Sequence, residues 1–226
     1  MLLEDMSWRM VEKYLNKSHK IVLVLGATEE HADLSLCTDA LIPYKIAEEA
    51  CARENIILAP PLYYGISTWS LGYPGTISLK TETYLLFIKD IIESLLRHGF
   101  RQFFILNGHG FNRSAAPAFG EKIADIEGAN ALFIQWYELP SAKSMTKTSP
   151  GGHASYMEAF PFTKTSRNKR TGSLKNFMPN LLQPCNEIRR ELQEGYGVGE
   201  LDKGNDVMMD LLEQLIGDFQ EIIRNG

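Results

Sequence analysis

The chain is poor in cysteine, has no long apolar run and carries no surplus of positive charge. Its three cysteines, Cys37, Cys51 and Cys185, are an odd number at wide spacing. That argues against a disulfide framework and fits a reducing cytosol. No apolar run approaches the roughly 20 residues that a membrane-spanning helix needs. The opening residues Met1-Leu2-Leu3-Glu4-Asp5 lack the basic-then-apolar layout of a signal peptide, so the cytoplasm is the expected location. Lys and Arg number 23 against 28 Asp and Glu, a formal net charge of −5. Nucleic acid and membrane are therefore not expected as partners, and a small molecule is. Internal repeats and low-complexity tracts are missing as well.

What is there reads as one domain over residues 1–226, with 44% hydrophobic and 23% charged residues and enough length to bury a full core. The run Ile21-Val22-Leu23-Val24-Leu25 is short, branched and ended by Gly26, which is the pattern of a strand buried on both faces. Gln102–Leu106 repeats that pattern, and the spacing predicts further strands over Asn55–Leu58 and Leu132–Tyr137. Helices are predicted over Asp39–Glu54 and Ser114–Ile126, and from Thr81, as N-cap, to Gly99. A last amphipathic helix spans Asp206–Ile223, with Val207, Leu211, Leu215, Phe219 and Ile222 on one face. Tyr63–Leu79 is turn-rich, and the polar segment Glu138–Gly152 is a candidate lid. Strand–helix alternation at this spacing predicts a three-layer α/β/α sandwich with a mostly parallel central sheet.

Chemistry concentrates behind the two clearest strands. Glu29-x-His31 and then Asp39 follow the first, and Asn107-Gly108-His109-Gly110 follows the second. The carboxyl edge of a parallel sheet is where such folds bind ligands. Carboxylate plus imidazole suits Zn, Mn or Fe. Each residue alone is more often a loop polar group binding water, but together at one sheet edge they point to a metal centre.

These residues resemble the creatininase (creatinine amidohydrolase) family. Its first motif, G-[ST]-x-E-Q-H-G-x-H-L-P-x-x-T-D, is matched by Gly26 to Asp39. A Y-G and then F-P-G-T-I-S-L feature is matched by Tyr64-Gly65 and Tyr73 to Leu79, N-G-H-G-x-N by Asn107 to Asn112, and H-A-x-x-x-E by His153 to Glu158. The four occur in family order over about residues 20 to 160. The resemblance implies two divalent ions (Zn, Mn or Fe) held by Glu29, His31, Asp39 and His109, with Asp39 bridging. It also implies His153 as the proton shuttle and a homo-oligomer, often a hexamer among members. A surface-loop role for His153 is the alternative.

The chain departs from the family pattern in three places. The His31-to-Asp39 spacing is one residue short and the family's second histidine is missing there, leaving Asp33 and Asp39 as rival ligands; Leu36-Cys37-Thr38-Asp39 keeps the family's ending and favours Asp39. Phe111 stands where creatininase has a glutamate, which makes Glu158 the replacement fifth ligand, against the default of a solvated glutamate. Ser70 takes the position of a histidine, implying a different substrate pocket. Ser78, with Gly75 and Thr76, either lines that pocket or shapes a turn. Trp69, Tyr73 and Trp136 either wall a ring-shaped substrate or pack the core. Cys37 is a thiolate candidate or a small buried group. Lys164, Arg167, Lys169, Arg170 and Lys175 form a basic run, either a solvated loop or an anion clamp.

The function implied is a hydrolase whose metal-activated water opens a C–N bond in a small cyclic amide or formamide. Family relatives also hydrolyse a C–C bond in an oxidised inositol (inosose) ring, and Gly152 to Pro161 looks closer to that branch. A binding subunit that kept the fold without turnover is the reading from a different class, motivated by Phe111 and the shortened first motif.

Overall fold

The structure, a computed structural model, describes residues 1–124, 126–165, 173–174, 182–192 and 199–226. In chain order the elements are α1 (Trp8–Leu15), β1 (Lys20–Leu25), α2 (Thr38–Glu54), β2 (Ile57–Leu58), α3 (Thr81–His98), β3 (Gln102–Asn107), α4 (Ala116–Ile123), β4 (Asn130–Gln135), α5 (Pro140–Thr148), β5 (Ser173–Leu174), α6 (Cys185–Leu192), β6 (Gly199–Glu200) and α7 (Asn205–Asn225). The main sheet has the order β2-β1-β3-β4 and every pairing in it is parallel. A small antiparallel ribbon joins β5 and β6.

The sheet is covered on both sides. Val22, Val24, Phe104 and Leu106 point into a core shared with α2, α5 and α7. Ile21, Leu23, Leu25, Phe103 and Ile105 point the other way, onto α3, α4 and Tyr14 of α1. Successive side chains of a strand alternate between faces, so a strand packed on both needs an unbroken apolar run. That is why β1 and β3 read so clearly from the sequence. Each such side chain contributes roughly 1.5–3 kcal/mol of burial.

The register sets up the site. β1 and β3 pair from Lys20–Gln102 to Leu25–Asn107, and β3 and β4 from Gln102–Asn130 to Asn107–Gln135. Leu25, Asn107 and Gln135 thus end level, and the loops that follow leave one edge.

Several expected boundaries move. Helix α3 begins at Thr81 itself; its N-cap is Lys80, with no side-chain cap. The fourth strand stops at Gln135 because Trp136–Glu138 turns as a 3-10 segment. The helix expected from Ser114 starts at Ala116, after a 3-10 turn over Gly110–Ala115. The segment expected as a lid is mostly α5, which packs on α7 and whose Ser141 N–H donates to Asp218 Oδ2 at 2.8 Å. Only its end reaches the site. Of the basic run, Lys164 pairs with Asp202 at 2.9 Å and meets Asn205 at 2.8 Å. Arg167, Lys169, Arg170 and Lys175 lie outside the described residues.

Candidate active site

Two glycines let the start of α2 sit on the ends of β1 and β3. A Cβ on Gly26 would lie 2.5 Å from Ala40 Cα, and one on Gly108 would lie 1.8 Å from the Asp39 carbonyl oxygen. Pro43 lies inside α2 and has no N–H to return to that carbonyl, so the helix leaves it for Gly108 to approach. The asparagines of the third motif tie the loops. Asn107 Nδ2 donates to the His109 carbonyl and to Gln135 Oε1, both at 2.6 Å. Asn112 Nδ2 donates to Gly26 O at 2.8 Å, and its Oδ1 accepts from Ile66 N at 3.2 Å.

The result is two triads that share one carboxylate. Glu29, Asp39 and His109 form the first; His31, Asp39 and Glu158 form the second; a third group, Glu29, His31 and His153, lies beside them without Asp39. His109 Nδ1 lies 3.3 Å from Glu29 Oε1 and 2.9 Å from Asp39 Oδ2. His31 Nε2 lies 3.2 Å from Asp39 Oδ1 and 3.7 Å from Glu158 Oε2. All five side chains are buried. Each imidazole is held from behind by a backbone carbonyl: His109 Nε2 by Ile66 O at 2.7 Å, and His31 Nδ1 by Glu29 O at 3.1 Å. A proton on the rear nitrogen leaves the inner nitrogen's lone pair aimed at carboxylates. That arrangement needs positive charge between them, either a second proton or a cation, and a carbonyl-backed imidazole is the usual support of a metal ligand.

The protonation pattern agrees. Burial alone would lower His31, but Asp39 and then Glu158 outweigh it and raise its pKa to about 10. His109 is raised well above its ordinary value: burial opposes the shift, and Glu29 and Asp39 overcome it. Burial pushes Asp39 up, yet His31 and His109 hold it far below the usual carboxylate range. Glu158 is pushed up by burial in spite of His31. The sign for stability follows. A histidine raised in the fold contributes fully below its unfolded pKa of about 6.5 and loses that contribution as pH rises through the folded value. Chelator-treated protein should therefore melt at lower temperature at pH 9.5 than at pH 7 in calorimetry. Cation-loaded protein, with the protons replaced, should not show that drop.

A cavity of about 360 Å³ opens on both triads. Its wall includes Glu29, Asp39, His109, Glu158, His153, Phe111, Trp136, Tyr137 and Met157, with Thr146, Gly151 and Gly152 from the end of α5 and the turn after it. His153 Nδ1 is 3.9 Å from Glu29 Oε1, so the expected shuttle does stand beside the cluster. Trp69 lies behind it, its ring 6.1 Å from that of His153 and 5.9 Å from that of Phe111. Trp69 is therefore not in the cavity wall, and neither are Tyr73 and Ser78. Tyr73 packs under the Arg189 guanidinium, 5.7 Å away, and Ser78 Oγ accepts from Ser67 N at 2.8 Å, so both shape the turn-rich segment instead. Asp33 is exposed and belongs to neither triad, whereas Asp39 stands in both. Cys37 contacts Thr28 Oγ1 at 3.9 Å and is likewise outside the triads. Ser70 Oγ donates to Glu29 Oε2 at 3.2 Å, orienting that carboxylate. Glu30, not among the expected site residues, is buried and lies 3.5 Å from His153. Its only signal was a second acid directly between Glu29 and His31.

Comparison with known proteins fits this geometry. The family description "Creatinine amidohydrolase" (creatininase) matches residues 4–160. Among curated relatives, the 3-dehydro-scyllo-inosose hydrolase of Thermotoga maritima is 24% identical over 209 residues, 91% of this chain and 65% of that protein. The creatinine amidohydrolase of Pseudomonas putida is 28% identical over 46% of this chain and 43% of its own length. The mycofactocin precursor peptide peptidase of Mycolicibacterium smegmatis is 33% identical over 50% of this chain and 48% of its own. The chain thus spans less than two thirds of the curated relatives it matches. A crystal structure of creatininase superposes with a TM-score of 0.79 at 18% identity, covering 98% of this chain and 96% of that one. A manganese form of creatininase gives 0.76 at 18% identity, covering 99% and 97%. The fold is shared across the whole described chain, and the family description covers well over half of it. This protein belongs to the creatininase family.

Proposed function

We propose that the chain is a metal-dependent hydrolase that opens the C–N bond of a small cyclic amide or formamide. One observation carries the reading: Asp39 stands in both triads, one oxygen toward His31 and the other toward His109. A shared carboxylate is what two closely spaced divalent cations need. Glu29 and His109 would hold one with Asp39, and His31 and Glu158 the other. Two such ions supply a Lewis acid for a carbonyl oxygen and make a water nucleophilic near neutral pH.

The chain's own groups do the rest. Phe111, Trp136, Tyr137 and Met157 give the cavity apolar walls that exclude bulk water and hold a flat or ring-shaped substrate. His153 faces that cavity and is placed to take the proton of the attacking water and return it to the departing atom. Deprotonated nitrogen is a poor leaving group, so this proton delivery decides whether the bond breaks.

A second reading has its own support. The relative aligned along 91% of this chain is an inosose hydrolase, whereas the amide- and peptide-cleaving relatives align along about half. In a ring with two carbonyls, water added to one would expel the carbon next to the other as a stabilised enolate, and His153 would return the proton to that carbon. Zn- or Mn-loaded protein should carry about two ions per chain and turn over one of three probes: creatinine-like cyclic amides, formamidopyrimidines or inososes. Glu158→Ala should reduce the content to about one ion. Protein that stays ion-free after loading would overturn the hydrolase reading in favour of a binding subunit.

A further inference from the structure

We propose that Glu30 is the positioning residue of His153, fixing which of its two nitrogens faces the cavity. The inference rests on the hydrolase reading above and extends it to a residue outside both triads. Glu30 lies between two proposed ligands in sequence, yet its side chain turns away from them. Oε1 accepts the Ala32 N–H at 2.6 Å, and the residue's own N–H donates to Thr76 Oγ1 at 3.2 Å. Ala32 itself adopts a left-handed φ of 50°, turning the chain just after that hydrogen bond. The carboxylate is therefore anchored at both ends of the residue.

Its other oxygen, Oε2, is buried and has no hydrogen-bond partner among the described residues. A buried carboxylate oxygen is costly unless a donor meets it. The buried Tyr73 hydroxyl is near enough to feel its charge, and His153 Nε2 lies 3.5 Å from the same oxygen. On the opposite side of the same ring, Nδ1 stands 3.9 Å from Glu29 Oε1, and the ring lies 4.3 Å from that of His31. The His153 ring therefore spans from Glu30 to the triads. With its proton on Nε2, directed at Glu30, the ring presents the Nδ1 lone pair to the cavity. A proton taken there from water makes an imidazolium flanked by the Glu30 carboxylate, and the same nitrogen returns that proton to the leaving atom. A carboxylate behind an imidazole holds both tautomer and orientation in this way.

The test uses zinc-loaded protein labelled with 15N-histidine. The chain has five histidines, and a His153→Gln spectrum identifies the signals of residue 153. The expected result is a protonated Nε2 and an unprotonated Nδ1 for His153 in the starting protein. Glu30→Ala should lose that preference. It should also lower kcat by at least ~10-fold, with KM and zinc content unchanged, and Glu30→Gln should recover part of the loss. A proton on Nδ1 in the starting protein, or a Glu30→Ala spectrum and kcat that do not change, would overturn the assignment. Two bound ions and the expected tautomer without turnover of any probe would instead sink the hydrolase reading and leave the positioning intact.

Discussion

Asp39→Asn protein is expected to lose at least about 100-fold in cation affinity, and turnover with it. The magnitude is a lower bound. Removing a partner that merely supports a ligand costs 10–100-fold, and Asp39 touches both triads directly. Without cations the substitution acts on the fold as well. His31 and His109 each owe much of their raised pKa to Asp39. Breaking a buried charge pair by removing one partner costs roughly 3–5 kcal/mol. Calorimetry of the chelated variant at pH 7 should therefore show a clear drop in melting temperature, while metal analysis of the loaded variant shows about one ion or fewer. Two tightly held ions in Asp39→Asn protein would refute the shared-carboxylate geometry.

The second large effect comes from a single methyl group. Gly108→Ala places a Cβ 1.8 Å from the Asp39 carbonyl oxygen and 2.9 Å from Pro43 Cγ, so backbone must move on one side or the other. Overpacking of this kind costs about 1–3 kcal/mol. The functional loss should be larger. Either the start of α2 retreats from β3, taking Asp39 away from His109, or the turn carrying His109 does. A shift of about 1 Å at reacting groups can cost 10²-fold. Kinetics and metal content of Gly108→Ala, set beside Gly120→Ala, separate this from a general glycine effect. Gly120 lies in α4 with nothing within 4 Å of an added Cβ, and alanine there should stabilise the helix by about 0.5–1 kcal/mol. Full activity in Gly108→Ala would mean the two loops are not held together by that contact.

Both effects concern parts of the molecule that the sequence made legible to different degrees. Strands β1 and β3 were plain because burial on both faces forces unbroken apolar runs. Strand β4 lies at the sheet edge, with Asn130 and Leu132 exposed, so its pattern is diluted and the aromatic pair Trp136-Tyr137 drew the expected boundary past its true end. Helices α1 and α6 are amphipathic but only eight residues each, about two turns, which is too short for the pattern to stand out from the sequence. The triads were foreseen since their members stand in short motifs after strands. Glu158 is legible only as the replacement for the acid missing at Phe111. Nothing in local spacing could show that Glu30 stands 3.5 Å from His153, 123 positions later, or that Ser78 and Tyr73 stay out of the cavity wall. Those facts depend on how the turn-rich segment folds across the sheet edge.

Ala32 and Ala154 each follow a histidine of the site and each sit in the left-handed region, with φ of 50° and 54°. Each then gives its N–H to an acidic side chain, Glu30 or Glu158, at 2.6 Å. For a residue with a Cβ this conformation costs about 1–2 kcal/mol. Heat tolerance and grip on the acids are thereby set against each other at the same two alanines. Glycine at either place would relieve the backbone and loosen the clasp, so selection for a hotter habitat and selection for a faster catalyst would pull these positions in opposite directions.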